Sequence, residues 1–291
     1  MRLLRCDKRG FVLTEDLVTN IPPYAILSHT WGQDTDEVTY KDLVDKVGKD
    51  KVGYKKLQFC ANQARHHGIE HFWVDTCCID KSNTIEVQRS INSMFRWYQE
   101  ATRCYVYLSD VSVTRNRKRK SEPSETQWKS AFRESKWFTR GWTLQELLAP
   151  TSVEFFAQDG QRLGDKQSLE HDIHEITGIA VQALRDNRLS HFDIEERFKW
   201  AEKRETKHEE DWAYCLLGIF SVSMLPNYGE GKDNAVRRLR RKIQKASGNE
   251  YVVEPRDRSS SRLFNGELRR ENHNRRQQPS TYCEYNNLRS V

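Results

Sequence analysis

Over the first two-thirds of the chain, short apolar runs alternate with stretches in which apolar residues recur every third or fourth position. That alternation predicts an α/β sheet. Tyr24-Ala25-Ile26-Leu27-Ser28 reads as a strand, entered from Pro22-Pro23 and stopped at Trp31-Gly32. Further strands are predicted at 72–74, 104–108 and 153–157. Between them the spacing predicts helices over 39–47 and 54–67, the second with Leu57, Ala61 and Ala64 on one face and Gly68 as its left-handed cap. Asn83 with Glu86 three residues on reads as a capping box, followed by Val87, Ile91, Met94, Phe95 and Tyr98 at helical spacing. Helices are also predicted at 128–134 and 142–148, with Pro150 ending the second. After the last strand the pattern is helical only, at 169–177, 194–201, 212–220 and 234–245. A polar loop at 113–124 interrupts this order, and from 254 onward almost no apolar periodicity remains, so that tail is expected to be disordered.

Composition narrows the picture. The 291 residues allow one large or two small domains. Charged residues reach 31% against 36% for the apolar set, yet 8 Trp and 11% aromatics supply rings large enough to build a core. No run approaches the ~20 apolar residues of a membrane span. Charge at Arg2, Arg5 and Asp7 interrupts the stretch a signal peptide would need, so a soluble, cytoplasmic protein is expected. The net charge of +6 is mild and localised. One basic block, Arg115 to Lys120, has the composition of a nuclear signal, and another lies between Arg237 and Lys245. Both read best as solvated surfaces, and a nucleic-acid partner is not expected. The 7 cysteines are scattered without a C-x-x-C pair, as suits reduced thiols rather than a disulfide framework or a zinc knuckle.

An α/β sheet places its ligand beyond the carboxyl ends of its strands. Three segments converge there: Ser28-His29-Thr30-Trp31-Gly32, Asp75-Thr76-Cys77-Cys78 and Trp142-Thr143-Leu144-Gln145-Glu146-Leu147. His66, His67 and His71 lie near Asp75, Cys77 and Cys78, but Gly68 should end the helix between them, and no metal site is expected. A cysteine nucleophile activated by His29 is an alternative whose geometry spacing does not fix. Neither G-x-G-x-x-G nor G-x-x-x-x-G-K-[ST] occurs, so the usual dinucleotide and triphosphate loops are unsupported.

The blocks Ala25-Ile26-Leu27-Ser28-His29-Thr30-Trp31-Gly32, Phe72-Trp73-Val74-Asp75-Thr76-Cys77-Cys78-Ile79-Asp80 and Trp137-Phe138-Thr139-Arg140-Gly141-Trp142-Thr143-Leu144-Gln145-Glu146 resemble the signature blocks of fungal heterokaryon-incompatibility (HET) domains. Two later blocks agree, from Asp211 to Phe220 and Tyr228-Gly229-Glu230-Gly231, so the resemblance runs in order over about 24–245. It implies an effector of non-self recognition, innate immunity and programmed cell death that self-associates on activation and partners an NLR-type receptor. No receptor region follows here, which would make the chain a stand-alone or truncated member.

HET domains in turn resemble TIR domains remotely, and TIR domains that cleave NAD use the glutamate of a W-C-x-x-E-L block. Trp142 and Glu146 match that block, while Thr143 stands in the place of its cysteine. The resemblance implies a TIR-like (flavodoxin-like), mainly parallel sheet flanked by helices, with a helical C-terminal extension. The divisions expected are 1–160 for the α/β core, 161–248 for the helical part and 249–291 for the tail. It also implies NAD as a substrate rather than a bound cofactor, with Trp142 beside it and Glu146 as the catalytic residue; the strand-end segments are expected to add Ser28, His29, Trp31, Gly32 and Asp75 around the substrate. Cleavage of NAD needs no general acid, because nicotinamide leaves a cationic pyridinium as a neutral molecule; one carboxylate beside the ribose can stabilise the developing oxocarbenium charge. The competing expectation is a non-catalytic module that assembles and recruits a downstream executioner. A buried, perturbed Glu146 favours the enzyme, and an exposed Glu146 beside a large apolar patch favours the module.

Overall fold

The computed structural model describes residues 1–8, 10–113, 125–186 and 188–248. The basic block at 115–120 and the tail at 249–291 lie outside the described residues. The described segments all fall within one compact unit, Met1–Glu250. Its strands are β1 (Leu4–Asp7), β2 (Gly10–Leu13), β3 (Tyr24–His29), β4 (His71–Trp73), β5 (Arg103–Leu108), β6 (Val153–Ala157) and β7 (Arg162–Asp165). Its helices are α1 (Tyr40–Val44), α2 (Tyr54–His66), α3 (Asp75–Cys78), α4 (Thr84–Glu100), α5 (Glu125–Arg133), α6 (Thr143–Leu148), α7 (Glu170–Thr177), α8 (Val181–Arg185), α9 (Ile194–Glu202), α10 (Asp211–Tyr214) and α11 (Lys232–Ala246).

The described strands form one open mixed sheet in the order β2-β1-β4-β3-β5-β6-β7. Its centre, β4-β3-β5-β6, is parallel throughout. In chain order that centre runs 2-1-3-4, as in flavodoxin-like sheets, so the expected α/β class holds. The strand order reverses between β3 and β5, and such a switch point opens a crevice at the carboxyl ends of the two strands. The three edge strands are antiparallel. Neither β1 nor β7 is foreseen by the hydrophobic pattern, because β1 buries only its first residue and β7 only Gly164. The central strands differ: β3 and β6 are buried along their whole length, as parallel strands covered on both faces must be.

Local signals mostly hold. Gly68 has φ +69 just past α2, and Thr39 and Asp42 form a reciprocal capping box at α1. Asn83 caps α4 by accepting from the Ile85 and Glu86 amides, but the Glu86 carboxylate does not return the bond. It pairs instead with Arg2 and accepts from the Asp80 N–H, so the box expected there is half formed. The helix expected over 212–220 stops at Tyr214 and continues as turns. Gly218 there lies so close to α4 that a Cβ would come within 2.0 Å of Phe95 Cβ.

Candidate functional site

β3, β4 and α6 bring the three expected segments to one cavity of about 490 Å³ at the carboxyl ends of the parallel strands. Glu146 forms its floor. This residue lies on α6, every residue of which is buried, and is itself 9% exposed. Ser28 at the end of β3 donates to Glu146 Oε2 at 2.5 Å and accepts from Trp137 Nε1 at 2.8 Å. Ser28 is fully buried and does not line the cavity, so it supports the floor from beneath. Burial pushes the Glu146 carboxyl up to about 8, and the negative charge of Asp75 adds to this, while the Ser28 and Tyr98 hydroxyls and the Arg204 guanidinium pull the other way.

Asp75 forms the wall and behaves oppositely. It opens α3 directly after β4 and is partly exposed. His29 Nε2 lies 3.1 Å from Asp75 Oδ1, and Trp31 Nε1 donates to Oδ2 at 2.7 Å. Burial pushes this carboxyl up, yet the His29 and Trp31 hydrogen bonds and the Lys81 charge outweigh it and hold Asp75 at about 2. Behind His29, the Lys56 ammonium reaches Nδ1 at 3.1 Å, donates to the Thr30 carbonyl at 3.0 Å and pairs with Glu37. The Lys56 ammonium and the Thr30 carbonyl, the latter 3.3 Å away, both face His29 Nδ1, while Nε2 faces Asp75. Lys81 Nζ sits 3.4 Å from the centroid of the Trp31 ring, a cation over an indole whose edge is anchored by a carboxylate.

The opposite wall is apolar. Ile79, with Val87, Ile91 and Met94 of α4, lines it, and Ser90 adds a hydroxyl that is buried without a partner among the described residues. Trp142 lines the cavity beside Glu146 and bonds to Asp211, a carboxyl that burial raises and that also accepts from Tyr228 at 2.9 Å. The cavity therefore draws on residues either side of 160. Gly141 makes the junction possible: its N–H donates to the Glu205 carbonyl at 2.8 Å, and a Cβ there would meet Thr206 Cγ2 at 2.4 Å. Arg204, also buried, donates to the Arg140 carbonyl and to Thr143 Oγ1, both at 2.9 Å, tying the later segment to the start of α6. Thr143 Oγ1 in turn donates to the Trp137 carbonyl at 2.6 Å. At this position the hydroxyl is a structural pin.

Glu146, His29, Trp31, Asp75 and Trp142 thus meet at the cavity as expected, whereas Gly32 lines an adjoining groove and its N–H is taken by Glu37 Oε1 at 2.7 Å. Asp211, Tyr228, Arg140 and Lys56 were not foreseen as site residues. Asp211 and Tyr228 lie in blocks noted above for their resemblance alone, and Arg140 stands two residues before Trp142. Lys56, on an otherwise ordinary helix face, carries no signal in the sequence.

Cys77 and Cys78 are buried, and burial raises the Cys77 thiol far above its ordinary range. The His29 ring is engaged with Lys56 and Asp75, and the hydrogen bonds of these thiols run to and from the Val74 backbone. Among the described residues no group of three His, Cys, Asp or Glu side chains is arranged to hold a metal ion. No described helix is long and apolar enough to cross a membrane.

Residues 24–127 match the protein family described as Heterokaryon incompatibility protein (HET). Vegetative incompatibility protein HET-E-1 of Podospora anserina is 57% identical over 250 residues, which make up 85% of this chain and 18% of that protein. The chain carries a HET domain. It spans less than a fifth of the length of that relative, whose matched region takes in the floor of the cavity as well as its wall. No solved structure matches this HET domain.

Proposed function

We propose that this HET domain is the effector part of a heterokaryon-incompatibility protein and acts by cleaving NAD at the nicotinamide–ribose bond, with Glu146 as the catalytic carboxylate. The incompatibility role follows from the likeness to the Podospora anserina protein. The chemistry rests on one observation: a carboxyl pushed up by its burial on the floor of a cavity whose facing indole already carries a cation. In the resting site Glu146 is largely protonated at neutral pH. A substrate that brings a positive ring repays the burial of the negative charge, so binding favours the ionised form that catalysis needs. The C–N bond then breaks with its electron pair going to nicotinamide, which leaves neutral. The carboxylate stabilises the ribosyl cation until water adds at C1′ and releases its proton. In this reading Trp31 and Trp142 offer faces for the ring, the Ser90 hydroxyl meets its carboxamide, and Asp75 fixes Trp31 while keeping the wall negative.

Incubation of the purified protein with NAD, followed by chromatography, tests this directly. Release of nicotinamide and ADP-ribose is the expected result. Constant NAD in cells that the wild-type protein is killing would put a non-catalytic, recruiting module in the enzyme's place.

A further inference from the structure

We infer that the groove adjoining the cavity is a diphosphate subsite, with Arg140 and Lys136 as its permanent cations. The inference rests on the NAD reading for its choice of ligand and on separate residues for its geometry. The groove, about 600 Å³, straddles the switch point: Thr30 and Trp31 follow β3 on one side, Ser109 and Asp110 follow β5 on the other. It shares Thr30, Trp31, Asp34, Arg140 and Lys207 with the cavity, so one ligand can occupy both.

Three cations line the groove, Lys136, Arg140 and Lys207, against two acids, Asp34 and Asp110. Both acids are engaged. Asp110 accepts from Ser135 Oγ and from the Lys136 backbone N–H, each at 2.8 Å, and Asp34 pairs with Lys207 at 2.6 Å. Among the described residues, the side chains of Arg140 and Lys136 form no ion pair. Thr30 and Ser109 add two hydroxyls, 3.4 Å apart, to the groove lining. The exposed Asp34–Lys207 pair joins the two rims, and an entering phosphate can exchange for Asp34 on Lys207 at little cost, since an exposed pair is worth little.

The two compartments therefore differ in kind. The cavity alone adds the apolar wall and the buried carboxyls, while the groove alone adds Lys136 and Ser109 to the cations that both share, Arg140 and Lys207. A dinucleotide has the matching layout: a cationic aromatic ring at one end, joined through ribose to a diphosphate. A bare polyphosphate would fill only the groove, and an uncharged base only the cavity.

The test uses the full chain, titrated calorimetrically with pyrophosphate, and compares turnover of NAD with that of nicotinamide riboside, which lacks phosphate. Pyrophosphate should bind the wild-type protein and bind Arg140→Gln and Lys136→Gln roughly tenfold more weakly, the loss of one charge-assisted contact. The KM for NAD should rise by a similar factor in both variants, and in Lys136→Gln, whose residue lines only the groove, kcat should change little and nicotinamide riboside turnover should not respond. Lys136 is exposed and its side chain holds no other element, so its variant reports binding even where Arg140→Gln loses structure. Equal pyrophosphate affinity in wild-type and Lys136→Gln protein overturns the subsite, as does an unchanged KM for NAD. Weakened pyrophosphate binding in a protein that never cleaves NAD upholds the groove and rejects the enzymatic reading, so the two failures are distinct.

Discussion

The floor and the wall of the cavity each carry a carboxyl group, and their surroundings drive the two in opposite directions. Glu146 stands on a helix whose neighbours Leu144, Leu147 and Leu148 are fully buried, and burial moves it up to about 8. Asp75 stands at a partly open helix start, where His29, Trp31 and Lys81 hold it at about 2. Two carboxyls of one cavity are thereby kept in different protonation states over most of the physiological range, which is how a site assigns different tasks to like groups. Asp75 is the fixed charge that orients the indole and its cation. In the proposed reaction Glu146 is the variable one, whose charge would appear when something positive arrives.

The sharpest way to break this contrast is Glu146→Gln, which keeps the shape and removes the charge. Loss of one such stabiliser typically costs about 10²–10³ in rate. Cells expressing the variant at wild-type abundance should survive with normal NAD, and survival counts together with NAD measurement decide the matter. Killing by Glu146→Gln would show that another residue is the catalyst.

A smaller effect is expected from pH. Catalysis needs the ionised form and the free site titrates near 8, so kcat/KM should rise roughly tenfold between pH 7 and pH 9. Stability should move the other way. The folded state holds this proton more tightly than the unfolded chain does, so its contribution is complete below the ordinary carboxyl range and is lost as pH rises toward 8. The loss is at most about 1.4 kcal/mol per pH unit. Denaturant titrations of Glu146→Gln should thus show a protein more stable than wild type at pH 8 and nearly equal to it at pH 4. A variant less stable than wild type at pH 8 would mean that the carboxyl is a structural asset rather than a functional expense.

Asp75→Asn sharpens the contrast from the other side. The Asp75 charge helps hold the Glu146 proton, so its removal should shift the midpoint of the activity profile toward lower pH. A shift upward would show that the two groups do not sense each other. The smallest effect belongs to the thiols. Cys77→Ser and Cys78→Ser should each leave NAD turnover within about twofold of wild type and lower stability by roughly 1 kcal/mol, as small changes at buried positions do. Abolished turnover in a folded Cys77→Ser protein would instead make the thiol the nucleophile.

The parts of the molecule legible in its sequence are those whose signal is local. The apolar runs at 24–28 and 153–157 announce central strands because such strands are buried on both faces, and Gly68 announces a helix end because only a left-handed residue closes it. Glu146 was singled out by the resemblance of its block to the glutamate block of TIR domains, and the structure puts it on the floor of the cavity. The edge strands β1 and β7 were illegible, since they bury too little to leave a pattern. The partnership of Lys56 with His29, 27 residues away, and that of Arg204 with Thr143, 61 away, were equally hidden. Those contacts arise only when the sheet brings distant segments together. Charges in the interior are specified by their partners and not by their neighbours in sequence.

The division of the cavity between early and late segments carries a consequence for synthesis. The walls are made by residue 94, the floor by residue 146, and the far side only when Asp211 and Tyr228 have been added. A nascent chain therefore leaves the ribosome tunnel with the Glu146 carboxyl long before the cavity around it is complete. A product broken off between Leu148 and Asp211 would be in the same condition. Under the proposed activity, unfinished copies of the domain would lack a complete site through the order of the segments alone.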